Sequence, residues 1–260
     1  MTRQSDMADE LFEAQQIPSG VRLATAKHGG VTVTRVEIAR DGLARPRGRY
    51  VTLEMPSVSV LDERDAQVIE LCAAELRALL PPCGAVLVVG VGNRRITADA
   101  LGPRTVQKIF VTMGTQRTMP VQGIRPVAAV APGVSAATGL SLQQLVGALV
   151  RTVHPAAVIC VDSLCSAEAQ RLGRSIQFAD TGLYPAEADH TKHLDARILG
   201  VPVISAGIPV LMTAREGADL VITPRALDSV IAHGAALLGN AINRALQPRL
   251  SVAQLCWLTG

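Results

Sequence analysis

Residues 86–103 read VLVVGVGNRRITADALGP: four apolar residues, a turn with two glycines and an asparagine, and then an acid, Asp99. The apolar start predicts a strand over residues 85–91 that is buried on both faces. Gly102-Pro103 predicts the beginning of a helix, since proline is tolerated in a first turn. A strand, a polar turn and a helix in succession are typical of a parallel sheet covered by helices.

The same alternation continues along the chain. Further apolar strands are predicted at residues 127–131, 156–161, 176–179 and 201–205. Helices are predicted from the spacing of apolar residues and from capping signals at 62–80, at 103–113, after Ser141 with its Gln144 capping box, and after Thr223-Pro224. We therefore expect an α/β, three-layer fold with a mostly parallel sheet and helices on both faces.

One domain accounts for most of the chain. Residues 1–19 are polar and predict a mobile N-terminal arm, and residues 20–260 predict a single α/β domain. Within that domain, residues 30–39 and 48–56 are rich in β-branched residues and are expected to form a hairpin or to pair at a sheet edge.

Composition excludes several classes of protein. The net charge is only +3 over 260 residues and aromatic residues make up 2%, which disfavours a nucleic-acid surface or a base-stacking site. Five cysteines without CxxC spacing favour a reduced, cytoplasmic setting. The polar N-terminus and the lack of a long apolar run predict neither secretion nor membrane insertion.

Two acids mark the edge of the predicted sheet where ligands bind. Asp99 follows the strand at 85–91, and Asp162 ends the strand at 156–161, so their carboxyl groups could meet if the two strands are neighbours. Asp180 follows the strand at 176–179 and is expected on the same edge. Two adjacent carboxyl groups favour one proton between them and can act as base and acid toward water. Alternatively, each acid simply caps a helix or binds backbone amides.

Other candidate sites are weaker. The GVG of residues 90–92 lacks the third glycine of a dinucleotide fingerprint, because Arg95 stands there. Ser135 lies in a near match to a nucleophile elbow that ends in alanine. Cys160 and Cys165 fit small core residues better than nucleophiles. A cluster of potential metal ligands lies at Asp189, His190, His193 and Asp195, without a fixed ligand spacing.

Several motifs together resemble the germination protease family of spore-forming bacteria. The segments are VGVGNRRITADALGPRTV (89–106), RPVAAVAPGVSAATGL (125–140), VICVDSLCS (158–166), IQFADTGLYP (176–185) and LGVPVISAGIPVLM (199–212). The likeness extends to residues 48–56 and 220–246 and covers most of residues 5–246. Tyr184 stands where family members usually have a histidine. SDMADE at residues 5–10 resembles the start of the mature enzyme after removal of a propeptide.

This resemblance implies an atypical aspartic-type endopeptidase that degrades small acid-soluble spore proteins during germination. The resemblance identifies Asp99 and Asp162 as the catalytic aspartates. From the residues themselves, Asn93, Asp180 and Lys192 are supporting or substrate-binding candidates, and we expect no metal or cofactor. The resemblance also implies a homotetramer in the forespore or spore core, and a fold similar to hydrogenase maturation endopeptidases. A nickel-dependent endopeptidase of that type and a non-catalytic homologue that only binds spore proteins stay open as alternatives.

Overall fold

The computed structural model of the chain describes residues 5–13, 17–62, 65–118, 121–184, 193–213 and 221–259. Within these ranges nine strands form one sheet: β1 (Val21–His28), β2 (Val31–Ile38), β3 (Gly48–Glu54), β4 (Val86–Gly90), β5 (Val127–Val130), β6 (Ala157–Cys165), β7 (Ser175–Ala179), β8 (Val203–Thr213) and β9 (Val221–Ile222). The helices are α1 (Glu10–Glu13), α2 (Ala66–Leu79), α3 (Leu101–Val106), α4 (Met113–Thr118), α5 (Ser135–Thr138), α6 (Leu142–Val153), α7 (Ala196–Leu199), α8 (Leu227–Leu246) and α9 (Val252–Thr259).

The sheet is mixed, so the prediction of a mostly parallel sheet is wrong. Its strand order is β1-β2-β3-β7-β8-β6-β4-β5, and β9 pairs with β8. Strands β8, β6, β4 and β5 pair in parallel, whereas β1, β2, β3 and β7 form an antiparallel half that joins β8.

The connections explain the antiparallel half. A two-residue turn, Gly29-Gly30, joins β1 to β2 and permits only a hairpin. Residues 166–174 join β6 to β7 and contain only a 3-10 turn, so they lack the helical crossover that a parallel neighbour needs. All five residues of β7 are buried, and an apolar pattern of that kind does not reveal strand direction.

Helices cover the sheet on both faces. Alternate residues of β4 point to different cores: Val86 and Val88 pack with α2 and α8, whereas Leu87 and Val89 pack with α6. On the α6 side, a third cluster joins Ala8 and Phe12 to the antiparallel half of the sheet. The expected sandwich of helices around a sheet is therefore present.

Individual elements follow the sequence with shifts at their ends. The predicted pairing of residues 30–39 with 48–56 is confirmed as β2 against β3, although β1 was not foreseen. The Ser141 capping box is confirmed at α6. Helix α2 begins after Asp65 rather than Asp62, since the Asp65 carboxylate accepts the Val68 N–H. The helix expected to start at Gly102-Pro103 is divided into α3 and α4.

The beginning of the chain packs against the sheet. Residues 5–13, called the N-terminal segment below, include Met7, Ala8 and Asp9, none of which is exposed to solvent. Sequence composition led us to expect a mobile arm here, because the segment is polar and acidic. Its acids are instead partners of buried groups elsewhere in the fold, which local composition does not indicate.

Candidate active site

A pocket of about 110 Å³ lies where β6 runs past the end of β4. It can hold several water molecules. The pocket is lined by Asp6, Arg45, Tyr50, Asp99, Asp162, Ser163, Leu164, Cys165, Gln177, Ala179, Thr181, Gly182, Leu183, Tyr184, Ser205 and Leu211. The two acids that sequence analysis singles out, Asp99 and Asp162, therefore line one pocket, as their positions after neighbouring strands predict.

A glycine turn holds Asp99. The acid lies in a 3-10 turn, Thr97–Asp99, and its Oδ2 accepts the backbone N–H of Asn93 at 2.7 Å. Gly92 has a φ of +117°, and a Cβ there would overlap the Asp99 carbonyl oxygen and lie 2.9 Å from Asp99 Oδ1. Only glycine allows the strand end and the acid to approach so closely.

A second glycine brings the Asp99 turn onto the sheet. A Cβ on Gly102, at the start of α3, would overlap the carbonyl oxygens of Val161 and Val91. The absence of a side chain lets α3 rest on the end of β4 and on the middle of β6. Because Val91 N–H donates to Val161 O at 2.8 Å, the strand that leads to Asp99 and the strand that carries Asp162 are joined directly beside the pocket.

Asp162 lies within β6 rather than after it. Its side chain is buried, with the residue 5% exposed, and Oδ1 accepts the backbone N–H of Ser163 at 2.8 Å. The strand continues to Cys165, four residues beyond the predicted end at 161. Asp162 therefore lies inside a hydrogen-bonded strand that continues along the pocket.

The remaining site candidates differ in position. The Asn93 backbone binds Asp99, as described, while its side-chain oxygen accepts the Arg95 N–H at 3.0 Å. Lys192 lies outside the described residues. Asp180 does not line the pocket, and it accepts hydrogen bonds of 2.7 Å from both the backbone N–H and Nε of Arg49.

The expectation that Asp180 shares an edge with Asp162 is wrong, because β7 is antiparallel to β8. The end of β7, Ala179, pairs with Ser205 near the beginning of β8, whereas Asp162 pairs with Gly207 further along. Asp180 is consequently displaced toward the opposite edge of the sheet.

Sequence reasoning missed Asp6 and Arg45, which both line the pocket. Arg45 is 8% exposed and donates to the backbone oxygens of Tyr184 and Ser5, and its Nη2 lies 3.3 Å from Asp6 Oδ1. An acid so near the chain start and an arginine in a loop carry no periodic signal. The partial match to a mature family N-terminus was the one available hint.

Tyr184 closes one side of the pocket through a polar cluster. Its hydroxyl donates to Asp195 Oδ2 at 2.5 Å, and Nη2 of Arg197 donates to that hydroxyl at 2.8 Å. The ring of His193 lies 4.1 Å from the Tyr184 ring. Burial and the bond to Asp195 raise the pKa of Tyr184. Tyr184 is thus a neutral wall of the pocket tied to the start of α7.

Cys160 and Ser135, two nucleophile candidates from the sequence, do not line the pocket. Burial, and secondarily the charge of Asp162, raise the pKa of the Cys160 thiol to about 12, so it stays protonated. Ser135 is exposed in α5 and does not line the pocket. Over the described ranges, no group of three or more His, Cys, Asp or Glu residues is arranged to hold a metal ion. Of the candidate metal ligands, Asp189 and His190 fall outside those ranges.

None of the helices in the described part of the chain is long and apolar enough to span a membrane.

Comparisons with known proteins point to the family that the sequence motifs resemble. A family model described as Germination protease matches residues 1–216. The chain is 31% identical to the Germination protease of Caldanaerobacter subterraneus subsp. tengcongensis, over 95% of this chain and 94% of the relative. It is 30% identical to that of Clostridium perfringens over 85% and 86%, and 32% identical to that of Bacillus mycoides over 93% and 69%.

Proposed function

The chain belongs to the germination protease family, and from this we propose that it cuts small acid-soluble spore proteins at germination with Asp99 and Asp162 as its catalytic pair. Membership of the family makes the chain an endopeptidase, a hydrolase of internal peptide bonds. The observation that supports the catalytic pair is that Asp99 and Asp162, far apart in sequence, line one pocket large enough for several water molecules.

In the proposed reaction a water molecule lies between the two acids. The ionised carboxylate takes a proton from the water, whose oxygen forms a bond to the peptide carbonyl carbon. The protonated carboxyl group gives its proton to the peptide nitrogen as the carbon–nitrogen bond breaks. The products are a carboxylic acid and an amine, and the proton has moved from one aspartate to the other.

Neighbouring backbone groups would orient the pair. The N–H groups of Asn93 and Ser163 each donate to one aspartate oxygen, which fixes the carboxylate planes. Such preorganisation matters because a reacting group must be held in place before the reaction begins. We also propose the assembly and location that the family resemblance implies, a homotetramer in the forespore or spore core.

The test is cleavage of a purified small acid-soluble spore protein, followed by sequencing of the products. Asp99→Asn and Asp162→Asn should each lower the rate by about two to four orders of magnitude, with unchanged circular dichroism. Glu37→Gln, an exposed carboxylate on β2, is the matched control and should cleave normally. Full activity in either asparagine variant would contradict the catalytic pair.

The same assay separates the alternatives. Cleavage should persist in a chelator, whereas inhibition by the chelator and recovery with nickel would favour the hydrogenase-maturation type. Binding of the spore protein by the wild-type chain without any cleavage would favour a non-catalytic homologue.

A further inference from the structure

We infer that Asp6 is a positioning residue of the active site: it fixes the carboxyl-terminal part of β6, which carries Asp162, and the N-terminal segment forms one wall of the pocket. This inference rests on the proposed function, because it assigns Asp6 a role in the same reaction. Asp6 and the two proposed catalytic acids line the same pocket.

The end of β6 needs a neighbour that β4 does not supply. Pairing between β4 and β6 stops at Gly90 and Val161, while β6 continues to Cys165. Beyond Val161, β8 pairs with one side of β6. On the other side Asp6 takes the place of a strand: its N–H donates to Cys165 O at 2.8 Å, and its Oδ2 accepts the Cys165 N–H at 2.7 Å.

A glutamine on β7 holds the same segment from across the sheet. Gln177 Nε2 donates to Asp6 O at 2.8 Å, and Gln177 Oε1 accepts the Ala8 N–H at 2.7 Å. Gln177 pairs with Gly207, which in turn pairs with Asp162, so Gln177 and Asp162 flank one glycine in a single row. Residues paired in this way point to the same face of the sheet. The segment is therefore fastened to Gln177 at one end of this row and to Cys165, which follows Asp162 three residues later on β6.

Buried charges anchor the segment farther from the pocket. Asp9 is fully buried, and its carboxylate accepts from Arg171 Nη1 at 2.6 Å and from Thr52 Oγ1 at 3.0 Å. The Glu10 carboxylate accepts from the Ser166 hydroxyl and, at 2.8 Å, from the Ala167 N–H. These bonds hold the segment in place without contacting the catalytic acids, which allows anchoring and positioning to be separated by mutation.

Loss of the Asp6 bonds would affect catalysis through the alignment of Asp162. Asp162 is three residues from Cys165 on one strand, so loss of the Asp6 bonds would release the strand on the side that faces Asp99. A shift of about 1 Å in a catalytic group can cost on the order of a hundredfold in rate. Substrate contacts that lie elsewhere in the pocket would be affected much less.

The test compares kcat and KM on a small acid-soluble spore protein for Asp6→Ala, Asp6→Asn and Thr52→Val. Asp6→Ala should lower kcat by about ten- to a hundredfold with little change in KM. Asp6→Asn should recover most of the rate, because its amide oxygen can still accept the Cys165 N–H. Thr52→Val is the control: it loosens Asp9 of the same segment, and it should lower stability while leaving kcat unchanged. Gln177→Met, which removes both bonds from β7, should also lower kcat and serves if Asp6→Ala does not fold.

A second readout does not depend on the substrate. Amide hydrogen exchange at residues 163–165 should become about tenfold faster in Asp6→Ala and stay near the wild-type rate in Asp6→Asn. Wild-type kcat in Asp6→Ala, or an equal loss of kcat in Thr52→Val, would overturn the assignment, as would unchanged exchange. If the wild-type chain cuts no spore protein, the proposed function fails, and exchange alone still decides whether Asp6 holds β6.

Discussion

The backbone N–H of Asn93 donates a 2.7 Å hydrogen bond to Asp99 Oδ2, so the turn that ends β4 also fixes the acid that follows it. The turn can close only because Gly92 adopts a φ of +117° and carries no side chain against Asp99. The geometry of one proposed catalytic acid thus depends on a residue that takes no part in the chemistry.

Gly92→Ala should therefore remove activity and also destabilise the fold. The positive φ alone costs on the order of 1–3 kcal/mol for a residue with a side chain, and overlap with Asp99 adds to it. Urea unfolding and the cleavage assay measure the two effects. Gly114→Ala in α4 is the matched control, since its Cβ would meet nothing within 4 Å, and alanine there should add about 0.5–1 kcal/mol. A Gly92→Ala variant with normal activity would contradict the role of the turn.

The Asp195 carboxylate should make stability depend on acid pH. Burial alone would raise the pKa of Asp195, but hydrogen bonds from Tyr184, Arg197 and the Ile198 amide outweigh it and lower that pKa to about 2. The folded pKa lies below the ordinary value of 3.8, so the stabilisation is complete above about pH 4 and is lost as the pH falls toward 2.

Asp195→Asn tests this dependence by thermal unfolding across pH. The variant should be less stable than the wild type at pH 7, and the difference should shrink between pH 4 and pH 2. If the stability difference between wild type and variant stays constant over that range, the ionised carboxylate contributes nothing. Asp195 would then stabilise the fold only by capping α7.

Arg171 is the cation on which the buried anchor of the N-terminal segment depends. It is 5% exposed and lies 2.6 Å from Asp9 and 2.5 Å from Glu54. Arg171→Met should cost about 3–5 kcal/mol, because it leaves the Asp9 charge buried without its partner. Adding Asp9→Asn should restore part of the loss in chemical denaturation. No recovery in the double variant would mean that Arg171 acts through packing instead.

Alkylation should show that no thiol takes part in cleavage. Burial raises the pKa values of Cys72 and Cys160 to about 12, whereas Cys83 is exposed. Iodoacetamide should therefore label Cys83 in the native protein and reach the buried thiols of Cys72, Cys160 and Cys165 only after unfolding. Peptide mass spectrometry locates the label. Cleavage should survive labelling of Cys83, and its loss would argue for a thiol near the reaction.

The parallel half of the fold was readable from sequence because β4, β5 and the beginning of β6 are continuous apolar runs, and helices follow β4 and β5. The direction of β7 was not, since a fully buried strand has the same composition in either direction. Because β7 was expected to be parallel to its neighbours, Asp180 was predicted at the wrong edge of the sheet. Topology, rather than periodicity, decides which acids share an edge.

The proposed catalytic acids were predictable because Asp99 follows β4 and Asp162 comes directly after the apolar run of β6, and both strands belong to the parallel half. Asp6 was not, because its partners Cys165 and Gln177 lie far along the chain. Arg45 was missed for the same reason: a buried cation in an irregular loop has no local pattern. Polar residues paired over long sequence distances look like a solvated arm until the fold is known.

The hydrogen bond from the Ala8 N–H to Gln177 Oε1 joins residues that are 169 positions apart. During synthesis, Ala8 is therefore translated well before its partner. At roughly 5–20 residues per second, on the order of ten to thirty seconds pass between translation of the first partner and the second. A ribosome-bound chain that does not yet include Gln177 has an N-terminal segment but lacks the partner that holds it beside the pocket. Proteolytic competence would then arise only once most of the polypeptide has been made.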